Sequence, residues 1–92
     1  MGSRQSTSLF NLGYVVMTVG AAALEVDFIP YLIRHAAGDW GELDDFDKQQ
    51  NDLAVKQGLR ILSAYDTDEG VRIWIITESD RSATTVLLPD EY

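Results

Sequence analysis

VRIWIITESDRSATTVLLPDEY, residues Val71 to Tyr92, is the stretch that decides the fold. It holds two apolar runs, Ile73-Trp74-Ile75-Ile76 and Val86-Leu87-Leu88, separated by a polar knot from Thr77 to Thr85. Runs this short, rich in β-branched residues and bounded by turn formers, read as strands. Val71 to Thr77 and Ala83 to Leu88 are therefore two strands of one sheet. Pro89 stops the second, leaving Asp90-Glu91-Tyr92 as a short tail. Within the first, Ile73, Ile75 and Thr77 share one face, and Arg72, Trp74 and Ile76 the other. Apolar side chains on both faces point to a strand covered on both sides, or to a Trp74 offered to a partner. Trp74 is expected to be well buried, in the core or in a dimer interface.

Working back from that stretch, Asp66-Thr67-Asp68-Glu69-Gly70 is a turn, and Arg60 to Tyr65 (RILSAY) pairs across it as a hairpin. Gly58 ends a helix that Asp44 caps, with Asp45 and Asp47 suited to its positive end. Phe46, Leu53 and Ala54 form its thin apolar stripe. Asp39-Trp40-Gly41-Glu42-Leu43 connects it to an earlier helix, with Gly38 and Gly41 supplying the turn around Trp40. That earlier helix is capped by Asp27, tolerates Pro30 in its first turn, and sets Phe28, Tyr31, Leu32 and His35 on one face. Ala21 to Val26 is compatible with one or two helical turns, and Tyr14 to Thr18 with a first strand. The expected fold is α+β: two or three helices on one face of a mainly antiparallel four-stranded sheet that ends in a β-meander. Residues 1–8 read as a flexible polar tail and 9–92 as a single domain.

The 92 residues suffice for one domain, and 46% are hydrophobic, as in an ordinary globular core. Cysteine is absent, which excludes disulfides and thiolate metal sites and is compatible with a reducing, cytoplasmic setting. No apolar run approaches the roughly 20 residues of a membrane span. Seven Lys and Arg against fifteen Asp and Glu give a net charge of −8. That balance opposes binding to phosphate backbones and favours a protein partner with a basic surface. At this size a homodimer interface could also add stability.

Several clusters invite chemistry. Asp66 to Gly70 fails as a calcium loop, because the EF-hand positions for Gly and Glu fall on Val71 and Thr77. Asp39, Glu42, Asp44, Asp45 and Asp47 could hold a cation, but helix-end electrostatics already explains the last three. Asp39 and Glu42 are left without a local reason, so the patch is expected to be exposed and to bind electrostatically, with Trp40 near its centre. The competing expectation buries Trp40 as a plug between helices. His35, the single histidine, is either a general acid–base group or a hydrogen-bonded core residue. Glu78, Asp80 and Arg81, with Thr84 and Thr85, form the densest polar group. They either bind an anion, or cleave RNA in a ribonuclease-like cleft where His35, Arg81 and Thr84 (or Thr85) meet, or form a loop that satisfies its own turn. No cofactor is called for, and no catalytic assignment stands beyond these three residues. The expected binding residues are Asp39, Trp40, Glu42, Asp45, Trp74, Glu78, Asp80 and Arg81.

Certain blocks resemble a family of small bacterial proteins: Arg34-His35, Gly38-Asp39-Trp40-Gly41, Asp47, Asn51, LSAY at Leu62 to Tyr65, WIITESDRSATT at Trp74 to Thr85, and LLPDEY at the end. The resemblance spans Leu9 to Tyr92. Where family members are expected to start a helix with Pro-Gly, this chain has Val19-Gly20-Ala21-Ala22-Ala23. Such proteins are linked to plasmids and other mobile elements, and some to type I restriction systems. A chain of 92 residues cannot hold a methyltransferase or nuclease subunit, and it lacks a Gly-rich cofactor motif. Size, charge, the lack of a catalytic signature and the resemblance together lead to the expectation of a small acidic non-enzymatic interaction protein of a bacterial plasmid or mobile element, one that inhibits or modulates a host defence or nucleic-acid-processing complex. The alternative is a small ribonuclease-like toxin using His35 and Arg81.

Overall fold

The structure is a computed structural model and describes residues 8–92. The N-terminal tail expected over 1–8 lies, apart from Ser8, outside the described residues. Four strands form one sheet: β1 (Tyr14–Met17), β2 (Ile61–Asp66), β3 (Arg72–Thr77) and β4 (Ala83–Leu87). Their spatial order is β1-β4-β3-β2, with β1 parallel to β4 and the other pairs antiparallel. The expected hairpin is present, running from the Ile61↔Thr77 pair to the Asp66↔Arg72 pair. Its turn is tied by Thr67, whose hydroxyl donates to the Val71 carbonyl at 3.0 Å and accepts the Val71 N–H at 3.2 Å.

Three helices cover one face: α1 (Val19–Ala23), α2 (Ile29–Ala36) and α3 (Asp45–Gln57). α3 forms where the sequence places it. The Asp44 carboxylate accepts the Asp47 N–H at 2.8 Å, a cap of about 1 kcal/mol, and Gly58 closes the helix at φ 68°. α2 starts differently from expectation. Phe28 occupies the cap position with no side-chain bond, while the Asp27 carboxylate, one residue earlier, accepts the Ile29 N–H at 3.0 Å. The orphan donor is satisfied from just outside the helix.

Ala21, Phe28, Tyr65, Ile73, Ile75 and Val86 form the main core between α1, α2 and the sheet. A second cluster seats α3 through Ala54 on Ile61 and Trp40. Burial of each large aliphatic side chain contributes about 1.5–3 kcal/mol. The opposite face carries much lighter cover. Trp74 is only half-buried there, so within the single chain it is not the fully buried core residue that one branch of the expectation describes. A 3-10 turn over Pro89–Glu91 and the ring of Tyr92, 5.5 Å from Trp74 and edge-on to it, are what it meets.

The C-terminal residues are therefore more than a short tail. The Glu91 carboxylate accepts the Gly20 N–H at 3.0 Å, the Leu88 N–H at 2.8 Å and the Thr18 hydroxyl. These bonds fasten the start of α1 to the end of the chain and hold the carboxyl below its usual range, the Thr18 hydroxyl most of all.

Candidate functional site

The acidic connector is built around an edge. After α2, the segment Trp40–Glu42 runs beside β2, bridging Gly41 to Ala64 in parallel. Only glycine fits there: φ at Gly41 is 73°, and a Cβ would stand 1.9 Å from the Ala64 carbonyl oxygen. This approach drives the Trp40 side chain inward. It is 3% exposed, packs on Ala54 and Ile61, stacks on Phe10 at 6.3 Å, and donates its indole N–H to Asp52 at 2.9 Å. Trp40 is thus the plug rather than the exposed centre of a patch.

The neighbouring acids do stay exposed. Asp39 takes both Arg34 nitrogens, at 2.7 and 3.3 Å, and that guanidinium holds its carboxyl below the usual range. Arg34 also lies 4.7 Å over the Tyr65 ring. Glu42, Asp44 and Asp45 make no ion pair among the described residues.

His35 is fully buried. Its Nε2 is 2.9 Å from the Thr77 hydroxyl, its Nδ1 bonds the Ser63 hydroxyl, and Thr77 lies 2.7 Å from the Thr84 hydroxyl. Thr84 donates to the Leu12 carbonyl at 2.7 Å. A carbonyl only accepts, and each hydroxyl has one proton, so the chain has one direction. Thr77 donates to Thr84, His35 donates from Nε2 to Thr77, and Ser63 donates to a bare Nδ1. The imidazole is neutral, and burial pushes its pKa down to about 4. Phe10 and Trp40 close over it edge-on, at 5.3 and 5.9 Å.

Arg81 is equally committed. It donates to the carbonyls of Ala54 (3.0 Å), Leu59 (2.6 Å) and Glu78 (3.2 Å), capping the C-terminal end of α3. Its guanidinium lies 5.4 Å from the Phe10 ring, which also meets His35 and Trp40. His35, Arg81 and Thr84 therefore do not meet in an open cleft, because Thr84 is also fully buried within the hydroxyl chain. The rest of the knot ties itself. Arg81 N–H bonds the Glu78 carbonyl at 2.9 Å with φ 61° at Arg81, and Asp80 accepts the Ser82 N–H at 3.0 Å. Glu78 faces Arg60 at 3.8 Å.

The expected binding residues do not assemble into one surface. Asp45 and Arg81 mark opposite ends of α3, about 20 Å apart for a helix of this length. Trp74 lies on the far face of the sheet. What the tertiary structure does assemble is a groove of about 510 Å³ at the hairpin end of the helix-covered side. Glu25, Asp27, Asp68 and Glu69 line it, around a floor that includes Val26, Pro30 and Tyr31. All four carboxylates are exposed and none has an ion-pair partner among the described residues. Arg34 is the one cation in its wall, and Asp39 already neutralises it. Glu25 bends the chain between α1 and α2 with φ at 56°. The four acids come from loops roughly 40 residues apart in the chain, so no local pattern announces them.

Among the described residues, no group of three or more His, Asp or Glu side chains is placed to hold a metal ion, and no helix is long and apolar enough to cross a membrane. Comparison of the chain with family models, curated proteins and solved structures finds no match.

Proposed function

We propose that this chain is a small, acidic, non-enzymatic interaction protein whose groove between α2 and the β2–β3 turn receives a basic segment of a partner protein. The observation that carries this reading is the gathering of Glu25, Asp27, Asp68 and Glu69 around a partly apolar floor, where the one cation, Arg34, is already paired with Asp39. Like charges that close repel one another at a cost unless hydrated or met by cations, and an Arg or Lys side chain supplies both the charge and an aliphatic stem for Val26, Pro30 and Tyr31. Glu42, which has no ion-pair partner among the described residues, continues the negative field along the β2 edge. The same field disfavours nucleic acid as a direct ligand. The resemblance to mobile-element proteins adds a setting to this reading: a cytoplasmic protein that inhibits or modulates a host defence or nucleic-acid-processing complex. Nothing in the geometry favours the ribonuclease-like alternative, given a buried His35 and an Arg81 spent on carbonyls.

The test is titration with a labelled Arg/Lys-rich peptide across a salt series. Asp68→Lys with Glu69→Lys is expected to weaken binding about tenfold or more and to flatten the salt dependence, with little change in Tm. Asp39→Lys with Glu42→Lys should have a smaller effect. Binding that ignores both salt and the Asp68/Glu69 reversal would sink the proposal.

A further inference from the structure

The two edges of the sheet are finished differently. On β2, the Asn51 amide donates to the Leu62 carbonyl at 2.6 Å and accepts the Leu62 N–H at 3.3 Å. The Ala64 carbonyl accepts the Glu42 N–H at 2.7 Å, and the Ala64 N–H reaches the Trp40 carbonyl at 3.4 Å. Leu62 and Ala64, which face outward in the middle of that strand, are thus capped. On β1, the N–H groups of Tyr14 and Thr18 point inward, to Ser82 and Val86 of the β4 side at 3.0 Å each. Strand alternation then points the N–H and C=O groups of Val15 and Met17 out of the sheet, where no described strand pairs with them.

An open edge is ordinarily blunted by Lys, Pro, a bulge or a covering loop. Among the described residues, β1 has none of these. Its sequence is Tyr-Val-Val-Met, and all four residues are exposed. Ile29 and Ile33 of α2, each 62% exposed, extend the apolar surface beside it. A groove of about 260 Å³ lies between, bordered by Val15, Met17, Ile29 and Leu32. No charged residue occurs from Tyr14 to Leu24 in a chain of net charge −8. The acidic segment Trp40–Glu42 lies along the opposite edge.

From this contrast we infer that the β1 edge is a homodimer interface, in which β1 pairs antiparallel with β1 of a second copy about a two-fold axis at Val16. The register follows from which groups are free. The register that engages both free residues at once pairs Val15 and Met17 with Met17 and Val15 of the other copy, which sets Val16 opposite its own symmetry mate. Two four-stranded sheets become one of eight strands. Tyr14, Val15, Val16, Met17, Ile29 and Ile33 expose on the order of 700 Å² per copy, close to the ~800 Å² each partner of a standard interface buries. A second copy supplies a matching apolar strand, whereas residues 1–7, MGSRQST, hold one large apolar side chain, Met1. It also keeps the carboxylates of the two β2 edges far apart, which matters for two molecules of like charge.

Sedimentation over a concentration series reads the association, and two variants of the half-exposed Val16 read the geometry. Val16→Lys sets two ammonium groups against each other on the axis and should raise the dimer dissociation constant about tenfold or more, with the circular dichroism and Tm of a folded protein. Val16→Cys introduces the sole thiol. Facing residues at a non-hydrogen-bonded position have Cβ atoms about 4.5–5.5 Å apart, near enough for a disulfide with slight adjustment. It should cross-link readily under mild oxidation, whereas Ser79→Cys on the exposed loop should not. A wild-type monomer up to on the order of 1 mM, a dimer indifferent to Val16→Lys, or equal cross-linking of both cysteine variants overturns the inference. So does dimerisation that appears only after removal of residues 1–7, which would mean that the chain covers its own edge. The Val16→Lys monomer should still bind the basic peptide, so failure of the dimer and failure of the acidic groove are separable.

Discussion

Trp40 and Trp74 sit on opposite sides of the same sheet and meet different amounts of protein. Trp40 lies in a connector between two glycines, among carboxylates, yet is 3% exposed. Trp74 lies in the most apolar run of the chain and is only half-buried. Three helices and the Trp40–Glu42 bridge cover one face of the sheet. The other face has the turn over Pro89–Glu91 and Tyr92, which Arg60 overlies at 5.3 Å. Whether an aromatic side chain is buried is set by the layer that crosses it, and local hydrophobicity is a poor guide to which layer that is.

Three measurements can break or sharpen this contrast. The largest effect belongs to Trp40. Trp40→Ala should cost about 3–5 kcal/mol in denaturant unfolding, because it opens a cavity against Ala54, Ile61 and His35 and strips the cover from the hydroxyl chain. A loss under about 1 kcal/mol would place the indole outside the core.

The second effect is a pH dependence on the Trp40 side of the sheet. His35 has a folded pKa of about 4 against 6.5 unfolded. The unfolded chain therefore binds the extra proton first as pH falls. The stabilisation is fully present above pH 6.5 and is lost as pH falls from 6.5 towards 4, amounting to about 2 kcal/mol between pH 7 and pH 5. Protonation would add a second N–H where Ser63 already donates, breaking the direction of the chain. His35→Gln should lose this slope while carboxylate-linked losses at lower pH persist. An unchanged slope in the variant would assign the effect elsewhere.

The smallest effect belongs to Trp74. Trp74→Ala should cost about 1–2 kcal/mol, below the range for core tryptophans, since the ring is already partly exposed and gives up partial burial and the edge contact with Tyr92. A cost equal to that of Trp40→Ala would erase the distinction between the faces. Quenching by iodide should likewise reach Trp74 and spare Trp40.

Much of the fold was legible because it is written in short-range rules. The period-two pattern of Ile73, Ile75 and Thr77, the turn at Asp66–Gly70, and the bracket of Asp44 and Gly58 around α3 each depend on a few adjacent residues. The parallel pairing of β1 with β4 was not legible, since it joins segments about 70 residues apart and leaves no turn between them. The roles of His35 and Arg81 were half legible. Their types allow catalysis, but the partners that commit them to structure, Ser63, Thr77 and the carbonyls of Ala54 and Leu59, lie 20 to 40 positions away. Glu91 was read as part of a tail for the same reason: its three donors are near β1 and the end of β4.

By itself, then, the sequence determined the element types, the hairpin, the α+β class and the acidic character, all of which follow from local sterics, periodicity and charge. The tertiary structure decided which tryptophan is buried, which carboxylates share a groove and which sheet edge is left open. Those properties depend on where distant segments cross, and chain crossing is governed by the summed burial of the whole core rather than by any neighbourhood of residues.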